Sequence, residues 1–193
     1  MIVALVLAAG AARRFGGRKM LAEVQGTPLL SMTVAAVEGA VDAVVVVTGS
    51  DANAVEAMLR VAHPRITCVR AEGWAEGMGA SLSAGVRSLD ADPQVRAVMV
   101  VLGDQPLVPR VVREVAMAWR ASPVDLMRTR YDDGAGHPVI FARSQFGALM
   151  ALRGDAGARA LIGSSTRVTD VVVGGERPPD VDRPEDIAAL PPL

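Results

Sequence analysis

Lysine is nearly absent from this chain. Of its twenty basic residues only Lys19 is a lysine; the others are arginines. Cysteine is as scarce. Cys68 stands alone, which excludes a disulfide within the chain and any multi-cysteine metal site, and makes a reducing compartment the simple expectation. It lies in the apolar-flanked run 66–69, where an inert buried thiol is expected. Aromatics make up 3% of the sequence, so a core has to be built from Ala, Val, Leu, Ile and Met. Neither sign of charge dominates: the net charge of −1 offers no general attraction to nucleic acid or to an anionic membrane. No apolar run reaches transmembrane length, and residues 2–9 are too short and lack the basic flank of a signal peptide. A cytoplasmic protein with no nucleic-acid or membrane partner is expected. The two histidines, His63 and His137, are far apart in sequence and justify no Ser/His/Asp arrangement. His63 precedes Pro64 at a helix end, where the helix dipole is a sufficient reason for it.

What the chain does have is alternation. Valine-rich runs at residues 2–9, 43–48 and 95–102, and shorter segments at 66–70 and 124–129, read as strands. Between them, residues 28–39, 51–62, 80–89 and 109–121 carry helical patterns. Thr27 is a candidate cap of the first helix, and Ser50 or Asp51 of the second. After Tyr131 a turn at Gly134 feeds a short strand, followed by helices, a strand near 168–173 and a last helix from Pro184. Continuous β-branched runs separated by helices indicate an α/β fold whose parallel sheet is covered on both faces. The 193 residues suit a single domain.

In such sheets ligands bind beyond the carboxyl ends of the strands, and the unusual residues lie there. Strand one is followed by Gly10, Gly16 and Gly17, with Arg13, Arg14, Arg18 and Lys19: four of the twenty basic residues within seven positions. The spacing is neither a Walker loop nor Gly-x-Gly-x-x-Gly. Backbone N–H groups, glycines for close approach and cations suit phosphate oxygens. The same residues also fit a glycine-rich turn with solvated arginines. Asp104, in Gly103-Asp-Gln-Pro106 after the 95–102 strand, is placed to hold Mg²⁺ against phosphates, or to cap a turn. Asp180 and Asp182 point to one side if their segment is extended, and Asp182 also reads as a helix cap. His137, between Gly136 and Pro138, fits a loop contact or a substrate contact.

Together these segments resemble the MobA-like nucleotidyltransferases. The resemblance rests on Leu7-Ala8-Ala9-Gly10 followed by Arg14, Gly16 and Lys19; on residues 73–82 with Gly77, Gly79 and Ser81; on 103–106; on Gly136-His137-Pro138-Val139; on 154–159; and on Asp180-Val-Asp182 with Pro184, Glu185 and Asp186. It runs from the first strand to the last helix, and in detail is similar to the molybdenum cofactor cytidylyltransferase branch. It implies a three-layer α/β/α, Rossmann-like nucleotidyltransferase fold with a mixed, mainly parallel sheet. It implies a Mg²⁺-dependent transfer of CMP from CTP to a phosphorylated acceptor, a molybdopterin-type cofactor, with release of pyrophosphate, and a molybdoenzyme or its maturation chaperone as a partner. Asp104 and Asp182 would hold Mg²⁺; Arg14 and Lys19, with Asp104, would form the catalytic set. Leu7, Ala8, Ala9, Gly10, Gly79 and Ser81 would bind the nucleotide, and Tyr131, His137 and Arg159 the acceptor. The chain departs from the family pattern at Ala12, where a serine is usual, at Phe15, where a methionine is, and at Glu72, where an asparagine is. Two other readings compete. One is an NAD(P)H-dependent oxidoreductase of the nicotine blue type, against which the missing dinucleotide fingerprint argues. The other is a non-catalytic nucleotide- or cofactor-binding homologue.

Overall fold

The computed structural model describes residues 1–106, 109–164 and 167–190. The strands are β1 (Ile2–Ala8), β2 (Glu23–Val24), β3 (Thr27–Pro28), β4 (Ala43–Thr48), β5 (Thr67–Arg70), β6 (Ala97–Leu102), β7 (Leu126–Tyr131), β8 (Gly134–Ala142) and β9 (Thr169–Val172). The helices are α1 (Leu29–Val37), α2 (Ala52–Ala62), α3 (Met78–Asp90), α4 (Pro109–Ala121), α5 (Phe146–Met150), α6 (Arg159–Ser164) and α7 (Pro184–Ala188). No helix among the described residues is long and apolar enough to cross a membrane.

Seven strands form one sheet in the order β5-β4-β1-β6-β8-β7-β9. Every neighbouring pair is parallel except those of β8, which runs antiparallel to both β6 and β7. The mixed, mainly parallel sheet is therefore present as expected. Alternation along β1 divides the interior in two. Ile2, Ala4, Val6 and Ala8 meet Leu30, Val34, Val55, Leu59, Val112 and Val115, which belong to α1, α2 and α4. Val3, Leu5 and Leu7 meet Leu82, Val86, Phe146 and Leu149, from α3 and α5. A strand buried on both faces cannot be polar at either parity, which is why β1 and β4 are continuous aliphatic runs. Each fully buried valine or leucine contributes about 1.5–3 kcal/mol relative to exposure. Of the few aromatics, Phe141 and Phe146 fill the core on the α3/α5 side. Gly85 allows α3 to lie close on the sheet: a Cβ there would come within 2.7 Å of Leu5 Cδ1.

Several boundaries differ from expectation. The first helix starts at Leu29, because Thr27 and Pro28 pair with Val24 and Glu23 in a two-residue hairpin. Its turn residues, Gln25 and Gly26, both have positive φ, 52° and 81°. Thr27 therefore belongs to a strand and caps nothing. Asp51 holds the cap position of α2, but neither it nor Ser50 donates or accepts a side-chain capping bond. Strand β7 runs to Tyr131 and β8 begins at Gly134, so the connecting turn lies at Asp132 and Asp133, and β8 spans nine residues rather than a short stretch.

Candidate active site

The chain leaves β1 between β4 on one side and β6 on the other. At such a point the loops after the strands diverge and open a crevice. The loop after β1 is wound tightly. Ala12 (φ 47°), Gly16 (91°), Gly17 (95°) and Arg18 (54°) all adopt left-handed backbone. The Ala12 carbonyl accepts from the N–H groups of Phe15 (3.0 Å) and Gly17 (3.1 Å), and that of Arg13 from Gly16 (3.3 Å). These N–H groups therefore hold the loop's own shape, where the sequence led us to expect them to face phosphate.

The left-handed residue Arg18 leads into a short 3₁₀ turn, Lys19–Leu21, that carries Lys19 inward. Its ammonium nitrogen lies 2.6 Å from Asp104 Oδ2 and 3.5 Å from Asp182 Oδ1, with the lysine side chain only 8% exposed. Arg14 stands outside, 76% exposed, and donates to Asp182 Oδ2 at 3.1 Å.

Two devices bring the carboxylates together. Asp104 follows β6 in a turn held by Thr33 of α1, whose hydroxyl lies within hydrogen-bond reach of the carbonyls of Gly103 (3.2 Å) and Gln105 (3.3 Å). Asp182 arrives because the Val181 N–H donates to the Asp104 carbonyl at 3.1 Å, while the Val181 side chain is buried beside Val24 and Leu29. Asp180 and Asp182 flank Val181 and both face the crevice, as an extended segment requires. Asp182 is not the cap of α7. Arg183 is, and Asp186 Oδ2 accepts from the N–H groups of Asp182 (2.8 Å) and Arg183 (2.7 Å).

The sequence reading placed Asp180 beside Asp182 but gave Gln105 no role and did not foresee that the two would pair. Gln105 Nε2 donates to Asp180 Oδ1 at 2.6 Å, while Gln105 Oε1 is buried with no partner. Burial pushes the Asp180 carboxyl upward; the Gln105 bond opposes this, and the charges of Asp104 and Asp182 add to it. The Gly-Asp-Gln-Pro spacing could have flagged Gln105, but nothing local indicates its partner 75 residues away.

The residue set fits a hard divalent cation. Two carboxylates already share one cationic group, the Lys19 ammonium, and Gln105, next to Asp104 in the chain, has an orphaned amide oxygen. Among the described residues no three His, Cys, Asp or Glu side chains form a complete metal cage. An ion here would take its remaining oxygens from substrate phosphates and water.

The family model of the MobA-like NTP transferase domain matches residues 4–169. The chain belongs to the MobA-like NTP transferase family. Among solved structures it is similar to Rv0371c from Mycobacterium tuberculosis H37Rv, at 31% identity and a TM-score of 0.84, covering 98% of this chain and 97% of that one. A manganese complex of the same mycobacterial protein matches at 31% identity and 0.82, over 97% and 96%. A nucleotidyl transferase from Methanothermobacter matches at 25% identity and 0.78, over 98% and 95%. No curated protein matches the chain.

In this transferase domain the other expected nucleotide residues are distributed unevenly. Leu7 and Ala8 are buried in the sheet; the Leu7 carbonyl accepts from Gly103 (2.9 Å) and that of Ala9 from Ser50 (3.1 Å). Gly10 is exposed and marks where β1 opens into the crevice. Gly79 and Ser81 lie in the first turns of α3. Gly79 N–H donates to the Gly154 carbonyl at 2.8 Å, and the Ser81 hydroxyl to Gly77 at 3.5 Å. Gly79 thus docks the 153–157 segment: a Cβ there would come within 2.7 Å of the Ala156 carbonyl oxygen.

Two of the three acceptor candidates are bonded to each other. Tyr131, buried, donates to the His137 carbonyl at 2.7 Å, and burial raises its hydroxyl to about 12. Withdrawal from water pushes the His137 imidazole down to about 4. Asp104 opposes the shift and Arg159 reinforces it, so both charges are felt at the ring. His137 is neutral at pH 7.

The sequence justified no Ser/His/Asp arrangement, and the structure holds a Ser/His/Glu one. Ser31, His63 and Glu38 form a continuous chain: Ser31 Oγ to His63 Nε2 is 2.8 Å, and His63 Nδ1 to Glu38 Oε2 is 2.6 Å. His63 holds the C-cap position of α2, as the dipole reading requires, and makes these two bonds besides. They join the start and end of α1 to the end of α2, a proximity that sequence separations of 32 and 25 conceal.

Proposed function

We propose that this chain transfers CMP from CTP to a phosphorylated acceptor of the molybdopterin type, releasing pyrophosphate. The observation that carries the reading is the single cationic group, the Lys19 ammonium, gripped by Asp104 and Asp182 at the mouth of the sheet's switch point. A divalent ion held by Asp104 and Asp182 would neutralise phosphate charge and orient the α-phosphate. The choice of CTP is supported by the Leu7-Ala8-Ala9-Gly10 form of the first motif, and the choice of acceptor by the family resemblance.

Lys19 follows from this as a phosphate ligand. Its ammonium is a compact charge on a flexible stem, and it can turn from carboxylate to the β- and γ-oxygens when nucleotide enters. Arg14, exposed and already oriented by Asp182, adds a planar fork on the outer side of the pyrophosphate. Gly10 and the surface formed by Gly79 and Ser81 receive the nucleoside. The acceptor phosphate, with a second pKa near ~6, is dianionic at neutral pH and attacks the α-phosphorus with no general base. The neutral His137 agrees with that: it can donate or accept a hydrogen bond to the acceptor but takes no proton from it. Tyr131 fixes the His137 loop, and Arg159 supplies positive charge to the acceptor. Catalysis is then positioning and charge stabilisation.

Pyrophosphate release tests this, with purified protein, molybdopterin, Mg²⁺ and each common NTP in turn, beside an NADH-oxidation control. Release with CTP alone supports the reading. Release with GTP instead moves the chain to guanylyl transfer, and NADH oxidation without pyrophosphate moves it out of the transferases.

A further inference from the structure

We propose that Ser31, His63 and Glu38 form a second, hydrolytic site, which cleaves uncharged carboxylic esters with an apolar acyl group. His63 Nδ1 lies 2.6 Å from Glu38 Oε2, so the carboxylate holds the proton on Nδ1 and leaves Nε2 as an acceptor. Ser31 Oγ is 2.8 Å from that nitrogen. Both distances lie within the reach that proton transfer from a serine requires. The backbone fixes the imidazole as well: His63 N–H donates to the Leu59 carbonyl at 2.7 Å, and the His63 carbonyl accepts from Ile66 at 3.2 Å.

Ser31 also has somewhere to work. It lines a cavity of about 1290 Å³ that runs between α1 and α4. The walls are mainly apolar, with Met32, Ala35, Val111 and Val173 among them. The arginines at its rim are already paired, Arg110 with Glu114 at 2.7 Å and Arg177 with Asp133 at 2.9 Å. The cavity therefore offers hydrocarbon contact and little unpaired charge, which selects an uncharged acyl chain.

The chemistry balances without any further reactant but water. Ser31 Oγ bonds to the ester carbonyl carbon as its proton passes to His63 Nε2. The carbon–oxygen bond to the alcohol then breaks, and Nε2 returns that proton to the leaving oxygen. Water attacks the acyl-serine, giving one proton to Nε2, which restores it to Ser31. Glu38 offsets the transient imidazolium charge. Ser31 is the third residue of α1, and helical side chains lean toward the N-terminus. In this proposal the oxyanion donor is the N–H of Ser31 itself, in the first turn of α1, where backbone donors lack an intrahelical acceptor.

The test uses the full chain and an alkyl fluorophosphonate, read by intact mass and peptide mapping, with p-nitrophenyl butanoate hydrolysis alongside. The expected result is one label per chain, on Ser31, with labelling at least tenfold slower in His63→Gln and ester hydrolysis lost in Ser31→Ala. Folded wild-type protein that leaves Ser31 unlabelled overturns the proposal, as does ester hydrolysis that persists in Ser31→Ala. The first of these readings needs no variant, so a substitution that fails to fold cannot protect the idea.

Discussion

Lys19 and Asp104 form a 2.6 Å ion pair across 85 residues of sequence, and Asp182 closes on the same ammonium from the other side. The lysine is almost wholly enclosed, whereas Asp182 is about half exposed, at 47%. Lys19→Met leaves two neighbouring carboxylates without their shared cation. We expect a loss of about 1–3 kcal/mol of stability, below the ~3–5 of a fully buried pair because solvent still reaches Asp182. Turnover should fall by ~10²–10³-fold or more, since a charge-stabilising donor is removed. Denaturant melts together with pyrophosphate release check both; a variant with near wild-type release would place Lys19 outside the reaction.

Asp104→Asn and Asp182→Asn should each abolish turnover while keeping much of the nucleotide affinity. The double variant should be little worse than either single one, because both carboxylates act through one ion. Mn²⁺ binding followed by electron paramagnetic resonance, with and without CTP, provides a direct readout. Additive losses from the two single variants would argue for separate roles.

Gly79→Ala probes how the 153–157 segment is held. The added methyl would meet the carbonyl oxygens of Ala156 (2.7 Å), Arg153 (2.9 Å) and Gly154 (2.9 Å). Backbone cannot yield as a side chain tip can, so a loss of about 1–3 kcal/mol is expected. Hydrogen exchange should rise in residues 153–157 and in the first turn of α3. Unchanged protection there would mean the loop does not depend on this contact.

Tyr131 ties stability to alkaline pH. Its hydroxyl is raised to about 12 in the folded chain, against about 10 when unfolded. Between these values the unfolded chain has lost the proton and the folded one keeps it, so stability is full below pH ~10 and falls as pH rises toward 12, by roughly 2–3 kcal/mol. Tyr131→Phe should remove this slope, and should cost about 1 kcal/mol at neutral pH through the lost bond to the His137 carbonyl. Urea melts at pH 8 and 11 separate the two effects.

Ala12 has a φ of 47°, where a Cβ is strained. Ala12→Gly should relieve about 1–2 kcal/mol of that strain. Part of the gain is lost to the greater freedom of the unfolded glycine, leaving a net stabilisation of about 0.5–1 kcal/mol. A lowered midpoint in thermal unfolding would show that the Ala12 methyl makes contacts worth more than the strain.

The sequence by itself determined the layers. Strands buried on both faces must be continuously aliphatic, so β1, β4 and β6 were legible as runs of Val, Leu and Ala, and the helices between them as longer amphipathic segments. The glycines and cations after β1, and Asp104 after β6, were legible because their residue types are unusual at strand ends. Tertiary structure alone decided which residues face one another. A parallel sheet joins strands through crossovers, so β6 lies beside β1 although about 90 residues separate them, and this puts Asp104 against Lys19. The buried Val181 brings Asp182 to the same ammonium by a backbone bond that no periodicity encodes. The Ser31–His63–Glu38 chain was hidden for the same reason. Its members come from the two ends of one helix and the end of another, and only packing on a common sheet face brings them within hydrogen-bond reach.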